Sequence, residues 1–370
     1  MAIYKIFPEK SATLYSYYPT LNSGLDEILD LSLYKTIDGL YEVSRPIIQF
    51  PQSEIIDIIT NKVSGSSYDV YLKLSLAQAT AIPTDFTLFC HPLATGSWNI
   101  GTGRFSNNPI TTDGVSWQYI TQLSGSVWFT PGSFPANTTG SYKSGSNIGG
   151  GLWRTNSIYA ISQSFTYVSS KDIELKVTNI VNAWSGSTIS NNGFILKHSS
   201  SIEFTSSSIF ELKYFSGNTH TIYPPCLEIR WNDSSYLTGS QAVIDSDLYV
   251  PSLGNNKSNF QQDSVQRFRI KVRAKYPPRT FNVSSFSYNL TNYVLPASSY
   301  YSIKDLDTEE IVVDYDTTYT KISCDSSGNY FDLYMNGLEP ERYYQLLFKS
   351  ILPNGKVIVF DDDYYFKVIR

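Results

Sequence analysis

Histidine, cysteine and methionine are nearly missing from this chain. Its 370 residues include 3 His, 3 Cys and 2 Met. Acid–base, nucleophilic and metal chemistry near neutral pH rests largely on His and Cys, which titrate or ligate in that range. Their scarcity points away from catalysis and toward binding. Charge is sparse as well: Asp, Glu, Lys and Arg make up 16% of the chain, against about a quarter in an average protein. The net charge of −5 offers no general field for a phosphate backbone, so no nucleic-acid partner is expected. No stretch approaches the roughly 18 consecutive apolar residues of a membrane span, so no membrane partner is expected either. Cys90, Cys226 and Cys324 are scattered and odd in number, without a CxxC. Buried free thiols are the expectation, with a disulfide between two of them left open. The opening Met1–Pro8 has no apolar h-region, which predicts a protein made in the cytosol that stays there or leaves by a route other than secretion.

What is present is aromatic: 29 Tyr, 20 Phe and 6 Trp, among many Ser, Asn, Thr and Gly. This is the material of sheets, turns and contact surfaces. Alternation marks strands at Ile3–Phe7, Glu27–Leu33, Tyr68–Leu76 and Phe86–Cys90, and again at Ile173–Val177, Gly193–Lys197, Ile209–Tyr214 and Cys226–Trp231. Helical spacing predicts two short helices, at Ser53–Ile59 and at Thr178–Trp184 before Gly186. Residues 236–263, rich in Gly, Ser, Asn, Gln and Asp, read as a linker. Over 264–370 strands recur about every ten residues, through Phe281 and on to Val368, the pattern of an immunoglobulin-like sandwich. The first of these, from Val265, alternates apolar residues with Arg267, Arg269, Lys271 and Arg273, as a charged edge strand would. Leu338-Glu339-Pro340-Glu341-Arg342-Tyr343 resembles the Leu-x-Pro…Tyr corner of fibronectin type III domains, which implies that Leu338, Pro340 and Tyr343 form the structural corner tying the sandwich to its own backbone.

The segment from about 94 to 165 is a long Gly-, Ser- and Trp-rich insertion, and long irregular loops usually carry function. Trp98, Trp128 and Trp153 are its candidate contacts for a protein interface or a glycan, because indole faces stack on sugar rings and anchor interfaces. The alternative is that the tryptophans, Trp117 among them, are core beneath the loops. Cys90-His91 lacks a further ligand pair at a useful spacing, and Asp361-Asp362-Asp363 with Asp314 and Asp316 lacks a cation-loop pattern. No metal, cofactor or catalytic residue is therefore expected.

Several ordered pieces of residues 1–235 are similar to the DNRLRE-type sandwich related to carbohydrate-binding module family 96. They are Ser44–Phe50, Val70–Leu74, Val115–Trp117, Val177–Trp184, Asn192–Leu196 and Pro224–Ile229. That resemblance implies a jelly-roll-like β-sandwich and, for some relatives, glycan binding. Tyr4–Lys10, Gly24–Ile28, Lys321–Asp325 and Asn329–Arg342 resemble virion structural proteins of large tailed bacteriophages, marine ones especially. That second resemblance implies a virion protein assembled in the host cytoplasm, at the neck, tail, baseplate or capsid surface. The expectation is thus an all-β, non-enzymatic chain: a jelly-roll-like β-sandwich with long loops over 1–235, a linker, and an immunoglobulin-like sandwich over 264–370. Its expected partners are other virion proteins and further copies of itself in a symmetric assembly. The alternatives are an adhesin that binds a host surface glycan, and a glycoside hydrolase with paired carboxylates in a cleft.

Overall fold

The computed structural model describes residues 2–129, 134–140, 149–204, 209–254, 256–276 and 293–370. Strands account for 44% and helix for 9%, and the chain is all-β: a sandwich with long loops followed by an immunoglobulin-like sandwich. It divides into two compact units, Ile6–Lys62 with Asp69–Glu228, and Met1–Lys5 with Val63–Tyr68 and Ile229–Arg370. The division falls within the strand Cys226–Trp231, seven residues before the expected boundary at 235. The expected linker is also structured. It holds the strands Ala242–Val243, Tyr249–Gly254 and Asn259–Gln261, each paired in the second unit's sheets. Polar composition misled here because short strands with one wet face carry little apolar signal.

The first unit is built on an eight-stranded sheet. Ile161–Phe165, Phe86–Pro92, Phe194–His198, Tyr41–Gln49, Ile28–Lys35, Phe210–Phe215 and Leu76–Thr80 follow one another across it, with Lys10–Tyr15 also paired to Tyr41–Gln49. Tyr68–Leu74 pairs separately with Ile173–Lys176. Strict alternation sorts the faces. Leu29, Leu31 and Leu33 go into the core beside Leu212 and Tyr214, which leaves Asp30, Ser32 and Tyr34 on the outer face with Glu211 and Lys213. Both short helices form, Gln52–Asp57 and Thr178–Ser185, and the first continues as a π-helical turn, Ile58–Val63. Cys90, Cys226 and Cys324 are buried and not joined in a disulfide.

In the second unit two six-stranded sheets enclose an aromatic core that includes Phe268, Tyr301, Phe331, Phe348 and Phe366. Tyr301 and Phe331 stack with centroids 4.3 Å apart. The basic strand Val265–Ala274 is central, not an edge: it pairs with Gly328–Tyr334 on one side and Tyr249–Gly254 on the other. Its charges therefore act across the sheet. Arg267 meets Asp332 directly opposite at 2.7 Å, and Arg269 reaches Asp325 at 2.8 Å. The corner exists, but Tyr344 makes it. Its hydroxyl donates to Glu339 O at 3.0 Å, while Tyr343 is 52% exposed. Alternation decides between the two neighbours, since the inward position of the strand falls on Tyr344. Leu338 is buried at the same corner. Asp361, Asp362 and Asp363 form an exposed turn. The strand expected at Phe281 lies outside the described residues.

Candidate functional site: an aromatic cleft

The three tryptophans singled out from sequence do not present their rings. Trp98, Trp128 and Trp153 are 1%, 2% and 3% exposed, and Trp117 is fully buried. A buried indole needs a partner for its N–H. Trp98 Nε1 donates to Asn192 O at 3.0 Å, and Trp128 Nε1 donates to Ser116 O at 2.9 Å. Ser116 within the insertion and Asn192 well outside it supply those carbonyls, so these tryptophans are a core beneath the loops and not a contact surface. Cys90 and His91 point to opposite faces of one strand and share no site.

Trp117 and Trp153 instead hold a buried charge. The Arg45 guanidinium lies 4.9 Å from one ring centroid and 5.1 Å from the other. It donates to both oxygens of Glu203, at 3.1 and 2.8 Å, and to Gly150 O at 2.6 Å. Lys197 reaches the same Glu203 at 3.2 Å. Burial pushes the Glu203 carboxyl up, but Arg45 and Lys197 more than offset it and hold it below its usual range. Burial lowers Lys197 to about 8. Being sealed, this cluster is an anchor for the loops, without access to a ligand.

A second polar hub positions the cleft. The buried Asn22 side chain donates to Ile100 O at 2.8 Å and Val115 O at 2.9 Å, and accepts from Gly103 N at 2.7 Å. This pins the segment 99–115 onto the turn before the strand Ile28–Lys35. Asp26 completes the attachment, both its oxygens accepting from the Phe105 amide at 3.1 and 3.0 Å. Phe105 is thereby set against Tyr15 and Tyr18, with ring centroids 4.8 and 5.7 Å away. Gly24 permits the close approach. A Cβ there would lie 1.8 Å from Ile100 O. Gly24→Ala is therefore expected to destabilise the first unit by ~1–3 kcal/mol, the usual cost of overpacking, and to free Phe105, read as a lower urea midpoint and new amide exchange over 99–105.

The result is a cleft in two lobes of about 380 and about 460 Å³ that share Tyr15, Asp30, Phe105 and Lys213. Its floor is the outer face of the sheet, where Asp30 stands opposite Lys213 and Ser32 opposite Glu211. Its walls are Tyr17, Tyr18 and Phe105, 36%, 37% and 46% exposed. Tyr15 is buried, and its hydroxyl donates to Asp30 Oδ2 at 2.5 Å. Asp30 Oδ1 is buried and has no hydrogen-bond partner among the described residues. Burial raises Asp30, an effect that Tyr15 and Lys213 oppose. Burial also raises Asp26 to about 6, against the pull of the Phe105 amide. Such a surface suits a ligand with an apolar face and polar edges. The run Tyr15-Ser16-Tyr17-Tyr18 is the one sequence signal that could have marked it, and it was not singled out because nothing local ties it to Asp30, Phe105 and Lys213.

No protein-family model matches the chain, and no curated protein matches it. Among solved structures it is similar to a DUF4785 family protein from Legionella pneumophila, with 8% identity and a TM-score of 0.19. The alignment covers 98% of this chain, which spans 65% of the length of that protein.

Proposed function

We propose that this chain is a structural component of a tailed-phage virion that acts by holding partners, with no chemical step. The sequence resemblances at both ends support this reading. So does its construction, in which loops are fixed to a rigid sandwich by buried hubs such as Asn22 and Arg45. Further copies in a symmetric ring or lattice, and other virion proteins, are its partners. Imaging and mass spectrometry of purified particles test it: the chain is expected in many symmetric copies, and its absence from intact particles overturns the reading.

The cleft favours a second role for the same protein, that of a host-glycan adhesin. The carrying observation is the set of exposed rings of Tyr17, Tyr18 and Phe105 above a polar floor. In the particle the cleft then faces outward, whereas a purely structural part buries it under a neighbouring subunit. Asp26 and Asp30 raise the glycosidase alternative, but each is engaged in holding the cleft, one by the Phe105 amide and one by Tyr15. Release of reducing ends from an oligosaccharide, lost in Asp26→Asn or Asp30→Asn, would establish hydrolysis instead.

A further inference from the structure

We propose that the cleft takes a saccharide bearing a free ammonium group, that is, an amino sugar whose nitrogen is not acetylated. This rests on the glycan-binding reading and names its ligand class. Three features converge. First, the walls are aromatic. Exposed Tyr and Phe rings stack on the apolar face of a pyranose, and the same rings attract a cation through their negative faces. Second, the charge has one sign in excess. Among the described lining residues, Asp26, Asp30 and Glu211 stand against one cation, Lys213, with Arg104 at the margin near Asp26. A uronic or sialic acid would meet repulsion there, and an ammonium group attraction. Third, the floor carries the Asp30 carboxylate, whose Oδ1 is sealed and has no hydrogen-bond partner among the described residues. A cation in the cleft stabilises that carboxylate through its charge, which a neutral acetamido group does not supply.

The same arrangement links binding to pH. Asp26 is faced by Asp30, Glu27 and Arg104, and Asp30 by Tyr15, Lys213 and Glu211. His220 lies 3.9 Å from Glu27 at the margin. Both aspartates sit above their usual range because they are desolvated among like charges. A bound cation draws them back toward ionisation. The protein's contribution to cation binding therefore weakens as pH falls through about 6, where Asp26 takes up its proton, while protonation of the sugar amine acts in the opposite direction.

Titration calorimetry on the full chain tests this with three probes: a glucosamine tetramer, its N-acetylated counterpart and a glucuronate oligomer. The expected result at pH 6.5 is binding of the glucosamine tetramer about tenfold tighter than the acetylated one, with no binding of the glucuronate. Asp30→Asn is expected to remove the preference. Tyr18→Ala, at an exposed wall position, is expected to weaken both glucosamine-based ligands with an unchanged melting temperature. Equal binding of the free-amine and acetylated tetramers, or an unaltered preference in a folded Asp30→Asn protein, overturns the ammonium assignment and leaves the glycan reading in place. Binding of none of the three probes overturns both.

Discussion

Arg45→Ala is expected to lower the stability of the first unit by about 3–5 kcal/mol, the usual cost of removing one partner from a buried ion pair. Arg45 is fully buried and Glu203 is 5% exposed, so the change strands a carboxylate that water cannot reach. Lys197 remains beside Glu203 but does not supply the paired donors of the guanidinium fork. The Gly150 carbonyl loses its donor, and the indoles of Trp117 and Trp153 lose the plane between them. For a domain of about 200 residues this amounts to a fall of roughly 10 °C or more in melting temperature. Tryptophan fluorescence should shift red with it, because two of the six tryptophans flank the site. Arg45→Lys should fall between, keeping the charge but losing the planar fork and stack. The double variant Arg45→Met/Glu203→Leu should recover only part of the loss, since it removes the stranded carboxylate but leaves the buried Lys197 ammonium without its carboxylate partner. An Arg45→Ala protein as stable as the parent would show that the cluster does not anchor the loops.

The fold was legible in the sequence where side chains alternate over a long run. Tyr68–Leu74 and Val265–Ala274 read directly, since one face of each is apolar and the other is not. The π-helical turn Ile58–Val63 was not, because its apolar spacing is that of an ordinary helix. The short strands between 236 and 263 were hidden by polar residues on their wet faces. The insertion misled in the opposite direction. Trp residues among Gly and Ser look like a contact surface, yet backbone carbonyls of nearby and distant segments satisfy their N–H groups and allow full burial. The cleft was invisible for a topological reason. Asp30, Phe105 and Lys213 are far apart in the chain, and only the pairing of Ile28–Lys35 with Phe210–Phe215 and the Asn22 clasp bring them together. Composition alone indicated the kind of side chain involved, and tyrosine rather than tryptophan supplies the exposed rings.

The first unit is also expected to be acid-labile between pH 6.5 and 4, and His198 is the main reason. Its ring is fully buried beneath Phe210, with Nε2 3.3 Å from Leu31 O and no partner at Nδ1 among the described residues. Nε2 therefore carries the proton and the imidazole is neutral. Burial lowers His198 to about 4, with Lys197 and Arg45 adding repulsion against the attraction of Glu203. Burial also lowers His91 to about 4, beside Lys197 and against the ring of Trp153. Below pH 6.5 the unfolded chain binds protons at both positions and the folded one does not, so stability falls with pH until about 4. The full effect for a completely buried imidazole is on the order of 3 kcal/mol, and smaller for the partly exposed His91. Asp26 acts in the opposite sense. Its folded value of about 6 lies above the unfolded one, so it adds stability as pH drops through that range, and Asp30 shares the direction. Partial exposure limits the Asp26 contribution, which leaves the histidines dominant. Urea titrations at pH 7, 5.5 and 4.5 should show the midpoint falling steadily for the parent. His198→Gln should be less stable at pH 7 but lose less on acidification, whereas Asp26→Asn should steepen the loss. Parallel curves for the parent and His198→Gln would show that this imidazole takes up its proton in the fold as readily as in the unfolded chain, and the buried cluster around Glu203 would then have to accommodate the added charge.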